Sequence, residues 1–216
     1  MAKVYKYRSN VVYDANHKKR DLEQLFSLEF YASNLQEMND PFEGTFSFGT
    51  ISHNEEKYTK VIQQISSLGI YSLAIDENNY PNNDLMWAHY ANNHRGMCVE
   101  YELMEINRQL KFTPIPIVYS EDRACIRSLN LDTVGRDTTK VFLESLTAKS
   151  PEWSYEKEWR IIRDDGACGD RWDAEKKGAL LDMIRPSSVT LGCMAKQEFS
   201  DTVQEFCKNN QINLYK

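Results

Sequence analysis

Trp153-Ser154-Tyr155-Glu156-Lys157-Glu158-Trp159-Arg160 runs directly into Ile161-Ile162. The apolar pair reads as a strand, and the alternation before it extends that strand over Glu156 to Ile162. Successive strand side chains point to opposite faces. Glu156 and Glu158 therefore share one face, and Tyr155, Lys157 and Trp159 the other. Adjacent carboxylates repel unless solvent, a cation or a substrate hydroxyl stands between them. That is costly in a core and useful in a cleft. The same residues also fit a solvated, charged sheet face with ion pairs to Arg160 and Arg163. Large aromatics beside paired acids favour a site that stacks a ring and stabilises developing positive charge.

The chain around this strand alternates between helix and strand patterns. Val4 to Arg8 alternates as a strand, with Tyr5 and Tyr7 on one face and Lys6 and Arg8 on the other. Asp21 can cap a short helix, but Phe26 to Ser33 reads better as turn then strand. Tyr58, Val61, Ile62, Ile65 and Leu68 have helical spacing, with Gly69 as the stop. Ile70 to Ile75 reads as a short buried strand, and Asp76 to Asn83 as a loop. Asp84 is positioned to cap a helix carrying Leu85, Met86, Trp87, Tyr90 and Ala91, closed by His94-Arg95-Gly96. Further strands are expected at Met97–Tyr101, Ile115–Tyr119, Ala179–Met183, Ser188–Leu191 and Ile212–Tyr215. Further helices are expected at Thr138–Ala148 and Gln197–Lys208. Strands interrupted irregularly by helices, with no repeat and no linker, predict one α+β domain over 1–216.

The chain has 216 residues, 41% hydrophobic, enough to bury one substantial core. A net charge of −6 argues against a broad nucleic-acid-binding surface but allows a local basic cleft. No apolar run approaches the roughly 18–20 residues needed to span a bilayer, so no membrane partner is expected. The N-terminus lacks the apolar middle of a signal peptide. The 5 cysteines show no CxxC spacing. Reduced thiols in a cytoplasmic protein fit this better than a disulfide scaffold or a zinc site.

On the helix after Asp84, Met86, His89, Tyr90 and Asn93 lie on neighbouring positions. Met86 and Trp87 fit core packing. His89 and His94 are five apart, not the four expected of two zinc ligands on one helical face, so no metal centre is expected. The helix dipole favours His94 and Arg95 near the C-terminus, where Arg95 can also meet an anion. Asn39-Asp40-Pro41-Phe42-Glu43 is a turn, with Phe42 plugged into the core or with Asp40 or Glu43 lining a cleft. The absence of a Gly-rich phosphate loop, a GxSxG elbow and an HExxH motif disfavours P-loop, kinase, Rossmann, serine-hydrolase and zinc-protease readings.

Tyr5-Lys6-Tyr7-Arg8, Asn39 to Glu43, Met86-Trp87-Ala88-His89-Tyr90, His94-Arg95-Gly96 and Trp153 to Arg160 together resemble a bacterial family known as domain of unknown function 2971. More distantly, the order of Arg8 on the first strand, Ser72 on a middle strand and Glu156-Lys157-Glu158 late in the chain resembles the ADP-ribosyltransferase superfamily. Tyr71-Ser72-Leu73 departs from the Ser-Thr-Ser usual there. This resemblance implies a mixed, largely antiparallel sheet, open to splitting, flanked by helices. It implies NAD as substrate, consumed by a transferase or glycohydrolase such as a toxin or antiphage effector, with a protein or nucleic-acid acceptor. It implies Glu158 against the ribose 2′-hydroxyl, Glu156 on the acceptor, Arg8 on a phosphate and Ser72 supporting Glu158. Tyr7, Trp87, His89, Tyr90, Arg95, Tyr155 and Trp159 are the implied cofactor-binding residues. Two other classes stay open. One is a nucleotide- or nucleic-acid-processing enzyme with magnesium on Glu156, Glu158 and Asp40. The other is a non-enzymatic ligand-sensing domain.

Overall fold

A computed structural model of the chain describes residues 2–10, 20–35, 38–40, 43, 68–76, 81–110, 113–122, 143–163, 171–173, 178–182 and 185–216. The helix expected over 54–68 lies outside the described residues apart from its last position. So do the first part of the helix expected over 138–148 and residues 77–80 of the expected loop. Described elements in chain order are β1 (Lys3–Arg8), α1 (Arg20–Ser27), β2 (Glu29–Asn34), β3 (Gly69–Ile75), α2 (Asp84–Tyr90), β4 (Met97–Glu102) and α3 (Leu103–Leu110). There follow β5 (Ile115–Pro116), β6 (Val118–Tyr119), a helical segment over 143–147, β7 (Ala148–Lys149), a 3-10 helix (Pro151–Glu156) and β8 (Glu158–Arg163). The chain closes with β9 (Arg171–Asp173), β10 (Gly178–Asp182), β11 (Ser188–Leu191), α4 (Gln197–Asn209) and β12 (Asn213–Tyr215).

Ten of the described strands form one sheet, mixed but largely antiparallel. From one edge its order is β12, β11, β4, β1, β3, and only β12 runs parallel to its neighbour. At β3 the sheet divides. β8 occupies one edge of β3 from Gly69 to Ala74. The other edge is shared: β1 pairs at Ala74 and Ile75, β2 at Gly69 and Ile70. Between these two pairings, from Tyr71 to Leu73, neither β1 nor β2 is in ladder register with β3. A buried backbone carbonyl must find a donor, and Lys6 Nζ reaches into the gap to donate to the Ser72 carbonyl at 2.7 Å.

Period-two alternation loads both faces of the sheet. Val4, Tyr71, Leu73, Met97, Val99, Tyr101, Ile161, Val189 and Leu191 build one core. Leu22 and Leu25 of α1, Ile106 of α3, and Phe199, Val203 and Cys207 of α4 cover it. Tyr5, Tyr7, Ala74 and Cys98 point the other way, into a second core with Met86 and Trp87 of α2. The expected division of β1, with Tyr5 and Tyr7 opposite Lys6 and Arg8, is observed.

Several boundaries differ from expectation. α1 continues through Ser27, so Phe26 and Ser27 are helical and the turn falls on Leu28, at φ 54°. The cap of α2 is Asn83, whose Oδ1 accepts from the Met86 N–H at 3.2 Å; Asp84 is the first helical residue. Ile115 to Tyr119 is two short strands rather than one, β5 against β8 and β6 parallel to β7. α3 carried no sequence expectation, nor did β9. Most consequentially, the late strand begins at Glu158. Pro151, with φ already fixed near its helical value, opens a 3-10 helix through Glu156, and Lys157 breaks it in the left-handed region at φ 45°.

Candidate functional site

The late acids are not strand neighbours, yet they converge. Glu156 ends the 3-10 helix and Glu158 starts β8. The left-handed Lys157 turns its own side chain to solvent and brings both carboxylates onto the ammonium of Lys149. Lys149 Nζ lies 2.6 Å from Glu156 Oε2, 3.3 Å from Glu158 Oε2 and 3.1 Å from Glu43 Oε1. Its side chain is 2% exposed, with the ammonium 4.8 Å from the centre of the Trp153 ring. Arg160, fully buried, donates from Nε to Glu158 Oε1 at 2.7 Å and from Nη2 to Glu158 Oε2 at 3.1 Å. It also donates from Nη2 to Glu43 Oε2 at 2.8 Å and from Nη1 to the Leu146 carbonyl at 2.7 Å. Three carboxylates thus share two cations in a space largely closed to water.

Their ionisation divides. Burial pushes the Glu158 carboxyl up, but the Arg160 guanidinium and its hydrogen bonds, the Lys149 ammonium and the Ser72 hydroxyl outweigh it and hold the group at about 2. Glu156 is pushed up by burial, against the opposing pull of Lys149 and of the Tyr90 hydroxyl that donates to it. Glu43 is also raised, burial outweighing Arg160 and Lys149. Glu158 is held well below the ordinary carboxylate range while Glu156 and Glu43 are drawn above it, so the neighbouring acids differ in basicity, the pattern by which paired acids take different roles.

A cavity of about 410 Å³ opens at the sheet division and reaches this cluster. Ligand pockets run to roughly 300–1,000 Å³, so this one admits a nucleotide-sized fragment. Arg8, Ser72, Glu156, Glu158, Tyr7 and Tyr90 all line it, with Lys6 and Lys149. β-register places Ser72, Glu158 and Arg160 on the same sheet face as Tyr5 and Tyr7. Lys6 and Arg8 belong to the opposite face, 4.5 and 5.7 Å from the Tyr71 ring centre. Arg8 Nη2 donates to Gln24 Oε1 at 2.5 Å and to the Tyr71 hydroxyl at 3.2 Å. The gap between β1 and β2 lets groups from both faces meet one space.

The other expected binding residues are not among those lining the cavity. Trp87 donates from its indole to the Pro81 carbonyl at 2.8 Å and packs edge-on against Tyr7, with ring centres 5.3 Å apart. His89 is exposed beside Tyr155. Arg95 donates to the Asn93 carbonyl at 3.4 Å within the turn that follows α2. Tyr155 packs on the second core, and Trp159 pairs with Leu73 and Pro116 in the sheet.

Glu43 is in the cluster, buried against Lys149 and Arg160, but is not among the residues that line the cavity. No motif marks Lys149 in the sequence, where a single lysine stands before Ser150-Pro151. Arg160 reads there only as a salt-bridge partner. Among the described residues no group of three or more His, Cys, Asp or Glu is arranged to hold a metal ion. Between Glu156 and Glu158 stands the Lys149 ammonium. Among them, too, no helix is long and apolar enough to cross a membrane, and Cys98, Cys193 and Cys207 are free thiols.

Fold and site together define a mixed α/β protein with a divided, largely antiparallel sheet and a buried acid–base cluster at the division. Residues 86–161 match the model of a family described as "Protein of unknown function (DUF2971)". The matched segment runs from α2 into β8 and includes Tyr90, Lys149, Glu156, Glu158 and Arg160. No curated protein and no solved structure matches the chain.

Proposed function

We propose that the chain cleaves the nicotinamide–ribose bond of NAD and passes the ADP-ribosyl group to an acceptor or to water, in the manner of an ADP-ribosyltransferase. One observation carries the reading: Arg8, Ser72 and a Glu158 carboxylate held ionised all line one cavity. In this reading the C1′–N bond breaks with its electron pair leaving on neutral nicotinamide. The ribose is left as an oxocarbenium-like cation, as in glycoside cleavage. Glu158 stabilises that charge and accepts from the 2′-hydroxyl. Its Oε2, held by the longer contacts of 3.1 and 3.3 Å, is the oxygen that yields most readily to a ligand. Glu156 takes the proton of the attacking hydroxyl as the new C1′–O bond forms. Arg8 and Lys6, which reach the same cavity from the opposite sheet face, suit the pyrophosphate.

Incubation of the purified protein with NAD should release free nicotinamide, equally with and without a chelator, and Glu158→Gln should abolish release. Release that depends on added magnesium would favour a metal-dependent nucleotide-processing enzyme. NAD binding with no release would leave a sensing domain.

A further inference from the structure

We propose that Lys149 is a positioning residue of this site, its ammonium holding Glu156 as an ionised proton acceptor beside the already ionised Glu158. This rests on the proposed reaction but is decided by different measurements.

The two buried cations have separable duties. Arg160 directs its hydrogen bonds to Glu158, Glu43 and the Leu146 carbonyl, with none to Glu156 among the described residues. Glu156 depends instead on Lys149 at 2.6 Å and on the Tyr90 hydroxyl. Tyr90 is a neutral donor; it also accepts from Asn39 at the rim. Acting on Glu156 are one cation, Lys149, the Tyr90 hydroxyl that donates to it, the neighbouring phenols of Tyr155 and Tyr119, and the like charge of Glu158. Tyr119, whose hydroxyl accepts the Glu158 N–H at 2.8 Å, faces the same cluster from β6. Take Lys149 away and the buried Glu156 carboxylate faces an anion with no cation of its own. Burial and like charge both favour protonation, and a protonated Glu156 cannot accept the acceptor's proton. Lys149 need not touch substrate to decide whether the reaction runs at neutral pH.

The test pairs Lys149→Met with Lys149→Arg and with the double variant Lys149→Met/Glu156→Gln, which removes the charge left unpaired and guards against a chain that fails to fold. Carboxyl-carbon NMR titration without NAD should show Glu156 titrating at least one pH unit higher in Lys149→Met, and restored in Lys149→Arg, with Glu158 moving less. Nicotinamide release by Lys149→Met should fall at least tenfold at pH 7 and recover as pH rises, the acid limb of the profile having moved up by one unit or more. An unmoved Glu156 titration, or a loss of rate equal at every pH, overturns the inference. If Lys149→Met does not fold, a double variant as active as wild type overturns it, since it would show that neither group is needed. If the wild type releases no nicotinamide while the titration shifts as stated, the reaction falls and the role of Lys149 in setting Glu156 stands.

Discussion

Replacing Arg160 by Met keeps most of the apolar stem and deletes the guanidinium that ties β8 to Glu43 and to the helical segment before β7. The loss can be sized in two ways. Removing one member of a buried ion pair costs about 3–5 kcal/mol, because the partner stays behind as an uncompensated charge. Independently, Glu158 is held at about 2 against burial, chiefly by Arg160; an unfolded glutamate titrates near 4.3. A carboxyl depressed on folding contributes stability that is complete above its unfolded value and is lost as pH falls through its folded one. A gap of a little over two units corresponds to about 3 kcal/mol at neutral pH. Both routes give a large share of a typical domain stability of about 5–15 kcal/mol. Urea unfolding followed by tryptophan fluorescence should therefore show Arg160→Met destabilised by about 3–5 kcal/mol at pH 7. At pH 3 the wild type should already have surrendered about half of the Glu158 contribution, while protonation relieves the stranded acids of the variant. The difference must narrow on acidification. A loss under about 1 kcal/mol at neutral pH, or a difference that widens towards pH 3, would refute the view that Arg160 holds this cluster together.

Beside the Glu158→Gln and Lys149 outcomes given above, two further results are expected. Ser72→Ala removes a hydroxyl that helps hold Glu158 ionised, so the Glu158 titration should move up from about 2 and stability at pH 7 should fall with it; NMR titration that finds Glu158 unmoved would refute that support. Gly96→Ala would place a methyl carbon 2.0 Å from the Arg8 carbonyl oxygen, forcing β4 away from the end of β1. A loss of about 1–3 kcal/mol or more is expected in thermal or urea unfolding, and wild-type stability would contradict the close approach.

That last contact explains one motif. His94-Arg95-Gly96 reads in the sequence as the end of a helix, but α2 stops earlier, at Tyr90, and these residues close the turn that follows it, with Asn92, Asn93 and His94 all at positive φ. What the sequence could not say is that this turn also holds the carboxyl end of β1. Asn92 Nδ2 donates to Asn10 Oδ1 at 2.7 Å, and Gly96 lets the backbones touch beside Arg8.

By itself the sequence determined what depends on near neighbours. Alternation fixed β1 and its two faces, the apolar run fixed β3, and 3.6-residue spacing fixed the last helix. It also marked Glu156 and Glu158 as acids with a common destination, though by the wrong geometry, since Pro151, five residues before Glu156, outweighs a short alternating pattern. Only the tertiary structure decided where the sheet divides, because that depends on β1 and β2 competing for one edge of β3. Only it could bring Glu43, Lys149 and Arg160 around the late acids, because charge compensation in a buried cluster is set by distances in space, and 106 positions separate the first of those residues from the second.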